Sequence, residues 1–384
     1  MKSSPLPNHP LQVLVVPDKF KGTLGAADVA RAIAAGWRKA RPQDHLNLVP
    51  MSDGGDGFGP VVGTLIGARA RSLPTTDAAG RLRRARWWWE PSRRIAVIET
   101  AQSNGLALLP KGRFHPFDLD TSGVGRLLRA AHRAGAVTGL LGVGGSATND
   151  GGFGLALALG WKFLDRKGRL LLRWRDLERL SHVEPPTPTG SHVRWIVATD
   201  VSNPLLGRQG ATRVYGPQKG LRPADLPKAE ACLAQLAKVM KRQTGFDSRL
   251  PGCGAAGGLG YGLQAFLGAE RRLGFDVFAE FADLDRRLAE SDLVISGEGA
   301  VDAQTLMGKG VGQLLAACRR HDKPVALFGG RVELSGRTPN GLALIASLVD
   351  LAGEKEAMRR PAPLLRLAAE SAAAQISQHY FQRP

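Results

Sequence analysis

Residues 11–57 read LQVLVVPDKFKGTLGAADVARAIAAGWRKARPQDHLNLVPMSDGGDG. Leu11–Val16 is a short apolar run that stops at Pro17, Asp18 and Lys19. From Thr23 to Ala40, Val29, Ile33 and Trp37 recur four apart, which is one face of a helix. Pro42 stands just beyond its end, and Leu46–Val49 reads as a second strand running into Met51–Gly57. Strand, helix and strand in that order imply a parallel sheet.

Similar buried-strand runs return late in the chain, at Asp292–Ser296, Pro324–Phe328 and Leu342–Ser347, with helical stretches near Val311–His321 and Pro363–Ser377. Five strands drawn from the two ends make one doubly wound, flavodoxin-like domain, expected over 1–57 and 286–384. The middle, 58–285, is then a second α/β domain inserted into the first. Its expected strands are Ala85–Trp89, Ile95–Glu99, Val137–Val143 and Arg194–Thr199, and its helices Gly123–Ala134 and Ala224–Lys241. Ser122 is the expected N-cap of the first helix, and Pro185–Pro188 a surface loop.

Composition narrows the function class. The 384 residues suffice for two domains, and 43% hydrophobic with 22% charged residues excludes wholesale disorder. The net charge of +18 comes from scattered arginine without a basic block, so no specific nucleic-acid partner is expected. Cys232, Cys253 and Cys318 lie far apart and form no CxxC pair, which fits neither zinc nor a disulfide scaffold. No stretch reaches the roughly 18 apolar residues of a membrane span, and Leu11–Val16 is too short for a secretory signal. A cytoplasmic protein without a membrane partner is the expectation, and a homodimer stays open.

Glycine is the outlier at 48 residues, and it clusters. Four segments share one design, a strand end followed by Gly with Asp, Asn, Ser or Lys: 17–23, 52–57, 142–152 and 296–310. Glycine lets backbone N–H groups approach an oxyanion, and a following helix start adds partial positive charge. Lysines there can neutralise phosphate or carboxylate, and carboxylates can hold Mg²⁺ or orient a hydroxyl. Any single loop is better read as a turn; four together, all with carboxylates, point to a site. There is no GxxxxGK[ST] Walker-A loop, GxSxG elbow or HExxH pair. Asp200 follows a strand, where a turn and a metal or base role are equally open. The glycines of 252–262 read equally as close packing and as phosphate contact. Trp87–Trp89 reads as strand and edge packing, and Cys253 as structural.

Taken together, these segments resemble the bacterial glycerate kinase family that lacks a Walker-A loop. The matching motifs are PDKFKGT at 17–23, MSDGGDG at 51–57, GVGGSATNDGG at 142–152, ATDVSNPLLG at 198–207, YGPQKG at 215–220, GAAGGLGYGL at 254–263 and GEGAVDAQTLMGKG at 297–310. The resemblance implies transfer of the ATP γ-phosphoryl group to a hydroxyl of D-glycerate with Mg²⁺, in a cleft between two α/β domains. It favours 2-phosphoglycerate, while the residues themselves leave the 2- and 3-hydroxyl open. Two departures stand out: Ala300 where the family usually has Arg, and Gly310-Val311-Gly312 after Lys309. Arg331 or Lys19 is the expected substitute cation.

Loop chemistry placed on these motifs gives the site expectations. Asp18, Lys21, Asp53, Ser146, Thr148 and Asn149 contact glycerate or the transferred phosphate. Gly144, Gly145, Gly257, Gly258 and Lys309 contact nucleotide phosphates. Asp200, Glu298 and Asp302 surround Mg²⁺. Asp150 or Asp200 accepts or orients the substrate hydroxyl proton, with Lys21 as the third catalytic group. The alternative is a non-catalytic sensor of a phosphorylated or hydroxy-acid metabolite, motivated by Ala300, the altered Lys309 turn and the +18 charge.

Overall fold

The computed structural model describes residues 10–187, 192–306, 310–334 and 341–381. In chain order its strands are β1 (Gln12–Val15), β2 (His45–Leu48), β3 (Arg69–Thr76), β4 (Leu82–Glu90), β5 (Ile95–Glu99), β6 (Thr138–Gly142), β7 (Lys162–Asp165), β8 (Leu180–Glu184), β9 (Arg194–Ala198), β10 (Glu270–Arg272), β11 (Leu293–Val301), β12 (Val325–Val332) and β13 (Leu342–Ser347). The chain forms two compact units, 1–53 with 275–384, and 54–274. The divisions fall at 53/54 and 274/275 rather than at 57/58 and 285/286. The first moves because the Gly54–Gly57 loop belongs to the second unit's backbone: Gly54 accepts from the Gly144 N–H at 3.2 Å.

The first unit is one parallel sheet in the order β13-β12-β11-β1-β2. Numbered within the unit, that is 2-1-3-4-5, the flavodoxin-like doubly wound order. Val13, Val15, Leu293, Ile295, Ala326 and Phe328 bury their side chains in its core. Helix Ala26–Ala40 covers it with Val29, Ile33 and Trp37, the face that the four-residue spacing predicts. The C-terminal helix Pro361–Phe381 joins the same core through Leu365, Ala369 and Ala373. Its backbone passes so close that a Cβ on Gly36 would lie 2.1 Å from the Arg366 carbonyl oxygen. The first helix starts at Ala26, not Thr23, because Phe20–Leu24 closes on itself: Phe20 and Leu24 exchange backbone hydrogen bonds of 2.9 and 3.0 Å.

The second unit is a six-stranded mixed sheet in the order β10-β9-β6-β5-β4-β3. β5, β6, β9 and β10 run parallel, and the β3–β4 hairpin adds two antiparallel strands. β7 and β8 form a separate antiparallel pair. Trp87–Trp89 lie in the interior strand β4 rather than at an edge. Alternation sends Trp87 and Trp89 into the core, while Trp88 lies under Gly59 and Gly63, where any Cβ would collide with its indole. Ser122 is the first residue of its helix rather than the cap. Thr121 holds the cap position, and the Ser122 N–H donates to Asp120 Oδ1 at 2.8 Å. In the Pro185–Pro188 segment, Pro185 is exposed and Pro188 lies outside the described residues.

Candidate active site

In the first unit the strand order reverses between β1 and β11, and an open α/β sheet offers its ligand crevice beyond the carboxyl ends of such strands. Asp18 and Lys19 leave β1, Asp53 follows β2, and Glu298 and Asp302 lie at the end of β11. Lys19 Nζ stands 3.5 Å from Asp53 Oδ1 and 3.9 Å from Asp18 Oδ1. Asp18 Oδ1 also accepts the Lys19 N–H at 2.7 Å. Glu298 points inward, and its Oε1 has no hydrogen-bond partner among the described residues. Burial pushes its carboxyl up to about 7; a Thr305 hydrogen bond opposes the rise, and Asp18, Asp302 and Asp53 add to it. Asp302 opens a short turn of helix, exchanging bonds with Thr305: Asp302 N–H to Thr305 Oγ1 at 3.1 Å, and Thr305 N–H to Asp302 Oδ1 at 3.3 Å.

Lys21 is exposed in the same loop, whose backbone lies 3.1 Å from where a Cβ on Gly299 would sit. Lys309 lies outside the described residues. Of the two expected substitute cations, Arg331 pairs across the sheet with Ala300, but its guanidinium binds Glu333 at 3.2 Å and also Glu354. Lys19 is the one that meets the expected acid cluster.

The second unit carries the 142–152 loop, which leaves β6. Its polar side chains are buried rather than displayed. Asp150 is fully enclosed: Oδ2 accepts from Thr121 N–H (2.9 Å), Thr121 Oγ1 (2.8 Å) and Gly154 N–H (3.0 Å), and Oδ1 from Gly152 N–H (3.1 Å). Burial raises its carboxyl to about 6, Asp120 adds to the rise, and those donors oppose it. Asp150 therefore ties the turn to the 122–133 helix. Asp200 Oδ1 accepts the Gly274 N–H at 2.8 Å, and its Oδ2 is buried.

Ser146 Oγ and the Thr148 carbonyl both accept from Lys219 Nζ, at 2.8 and 2.6 Å. Asn149 Nδ2 donates to Thr212 Oγ1 at 3.0 Å, and Asn104 Nδ2 reaches Thr148 Oγ1 at 3.4 Å. The glycines expected to contact phosphate sit in tight surroundings. The Gly144 N–H is taken by Gly54, and a Cβ on Gly145 would meet the Asp56 carboxyl. Gly257 and Gly258, at φ +70° and +85°, lack side chains because Thr148, Lys219, Gly151 and Leu205 fill that space.

Sequence reasoning passed over Lys219 and Asn104. YGPQKG was visible as a motif, but nothing in its spacing says that Lys219 is buried. Cys232, Cys253 and Cys318 are buried. Among the described residues, no helix is long and apolar enough to cross a membrane, and no group of three or more His, Cys, Asp or Glu side chains is already arranged around a metal position.

Two α/β units, each presenting charged glycine-rich loops beyond its strand ends, define an α/β enzyme. The sequence profile described as the Glycerate kinase family matches residues 13–377, and the chain belongs to that family. It is 37% identical over 324 residues to a glycerate kinase of Halalkalibacterium halodurans, covering 83% of this chain and 85% of that protein. It is 34% identical over 326 residues to the glycerate 2-kinase of Escherichia coli K12, covering 83% and 85%. A solved structure described as glycerate kinase 2 from Salmonella typhimurium LT2 superposes with a TM-score of 0.82 at 32% identity, covering 96% of this chain and 99% of that one.

Proposed function

We propose that this protein transfers the γ-phosphoryl group of ATP to the 2-hydroxyl of D-glycerate, giving 2-phosphoglycerate, with Mg²⁺ and in the cytoplasm. The observation that carries this reading is the acid-rich switch point of the first unit. Asp18 and Asp53 flank Lys19 there, and Glu298 feels the charges of Asp18, Asp53 and Asp302. A site that only binds an anion gains nothing from four carboxylates; a site for a metal-bound polyphosphate does. The similarity to proteins named glycerate kinase and glycerate 2-kinase supports the acceptor and its position.

Phosphoryl transfer depends on positioning and charge neutralisation, with little covalent work for the protein. Mg²⁺, when bound, supplies neutralisation of the phosphate oxygens. The donor set fits it: the buried Glu298 Oε1 lacks a partner among the described residues, and Mg²⁺ commonly takes one or two carboxylates with phosphate and water completing its shell. Glu298 and Asp302 are the residues that would hold it. Asp200 orients the acceptor hydroxyl and takes its proton. Lys19 and Lys21 draw the anionic substrates to the β1 loop. The buried 146–149 shelf fixes the acid substrate, through Ser146 and Asn149.

ADP release from Mg-ATP by the purified protein tests this, with D-glycerate, L-glycerate and no acceptor compared side by side. Release that depends on D-glycerate is expected. ATP binding without acceptor-dependent release would refute the assignment and favour the sensor alternative.

A further inference from the structure

Lys219 is the one lysine among the described residues counted as buried, at 7% exposure. A buried ammonium is costly unless its protons find acceptors. Here two are found, Ser146 Oγ at 2.8 Å and the Thr148 carbonyl at 2.6 Å, and no carboxylate among the described residues is hydrogen-bonded to it. Burial pulls the amine down to about 7, and the charge of Asp150 opposes that fall. A tie made only for stability would be better built from a neutral side chain.

The surroundings are shaped to this amine. Lys219 ends the turn Pro217–Lys219, which Gly220 closes at φ +104°, so its direction is fixed. Gly257 lies so close that a Cβ would stand 2.7 Å from Lys219 Nζ and 1.9 Å from the Thr148 carbonyl oxygen. The segment opposite is tied down as well: Ala147 N–H donates to the Asn104 carbonyl at 2.7 Å, and Leu106 N–H to the Gly145 carbonyl at 2.8 Å. Polar capacity is nevertheless left over here. The amide oxygens of Asn104 and Asn149 are buried without a hydrogen-bond partner among the described residues, and Lys219 has three protons for two acceptors. Two unused acceptors and a spare ammonium proton, brought from three segments to the 146–149 loop, suit a ligand's hydroxyl and carboxylate.

We propose that Lys219 is a positioning residue: its ammonium bridges Ser146 and Thr148 and holds the 146–149 loop in the conformation that receives the acid substrate. The kinetic side of this rests on the proposed reaction; the structural side does not. Asp150 is the charged group that acts on the amine, with Asp120 acting on Asp150 in turn. Ser146 is the side chain through which Lys219 works.

Lys219→Met keeps most of the length and removes the charge. In the ligand-free protein, hydrogen exchange over 144–152 should speed at least about tenfold, with the melting midpoint held or raised. KM for D-glycerate should rise at least about tenfold, and Ser146→Ala added to Lys219→Met should change it by less than about twofold more. Lys219→Gln, which restores one donor, should recover part of both effects, and it takes the place of Lys219→Met if that variant fails to fold. Unchanged exchange in a folded variant overturns the proposal. So does a general loss of stability in both variants, or multiplication of the two single effects in the double variant. If the wild type does not turn over glycerate, the kinase reading fails while the exchange result still decides the role of Lys219.

Discussion

Glu298→Gln should stabilise the protein at alkaline pH while removing its activity. The folded protein holds the Glu298 carboxyl at about 7, against an ordinary 4.5. Between those values the folded state keeps a proton that the unfolded chain has already lost. Stability therefore falls as pH rises from about 4.5 to about 7, and the full penalty remains above that. Each tenfold difference in proton affinity is worth about 1.4 kcal/mol, so the ionised form costs up to about 3 kcal/mol. Glutamine has the shape of the neutral acid and no charge to bury. A domain of this size gains about 2–4 °C per kcal/mol, which predicts a rise of up to about 12 °C at pH 8 and none at pH 4. Calorimetry of both proteins at the two pH values, free of divalent cations, reads this directly. Millimolar Mg²⁺ at pH 8 should then raise the wild-type midpoint and leave Glu298→Gln unmoved. A variant no more stable than wild type at pH 8 would refute the reasoning, because Glu298 would then not be a buried, repelled carboxylate.

The two aspartates of the second unit should separate cleanly. Asp200→Asn should lower kcat by at least about a hundredfold with an unchanged melting curve, the pattern of a lost proton acceptor; unchanged turnover would remove that role. Asp150→Ala leaves four donors unanswered in a closed space and should destabilise the protein by at least about 3 kcal/mol, read in denaturant titration. Gly257→Ala must hold φ +70° with its Cβ against the Thr148 carbonyl. It should cost about 2–4 kcal/mol and raise exchange over 144–152; a neutral outcome would show that the loop yields.

Much of the first unit was legible because its strands are continuous apolar runs. Leu342–Ser347 matches the observed β13 end to end, as Ile95–Glu99 matches β5 of the second unit, and the spacing of Val29, Ile33 and Trp37 chose the buried face of the first helix. Polar edges were harder. β3, reading RARSLPTT, is exposed along its first residues and lacks an apolar signature; it forms because β4 offers a register. β7, β8 and β10 likewise depend on partners remote in sequence. The glycine-rich motifs located the loops but did not say which way their groups face. Asp150 and Glu298 both sit beside glycine in the sequence. One closes a turn with four donors, and the other faces three carboxylates with an oxygen to spare. Lys219 was hidden for the same reason, since burial of a lysine is decided by the backbone of Gly257 and Thr148, far along the chain.

The most direct test of the central claim is the phosphorus spectrum of the product formed from D-glycerate and Mg-ATP. The account predicts a new phosphate ester signal, split into a doublet by the single proton on C2, growing as ADP appears. A triplet would place the phosphate on the C3 methylene and contradict the 2-position. ADP with inorganic phosphate alone would contradict glycerate as the acceptor.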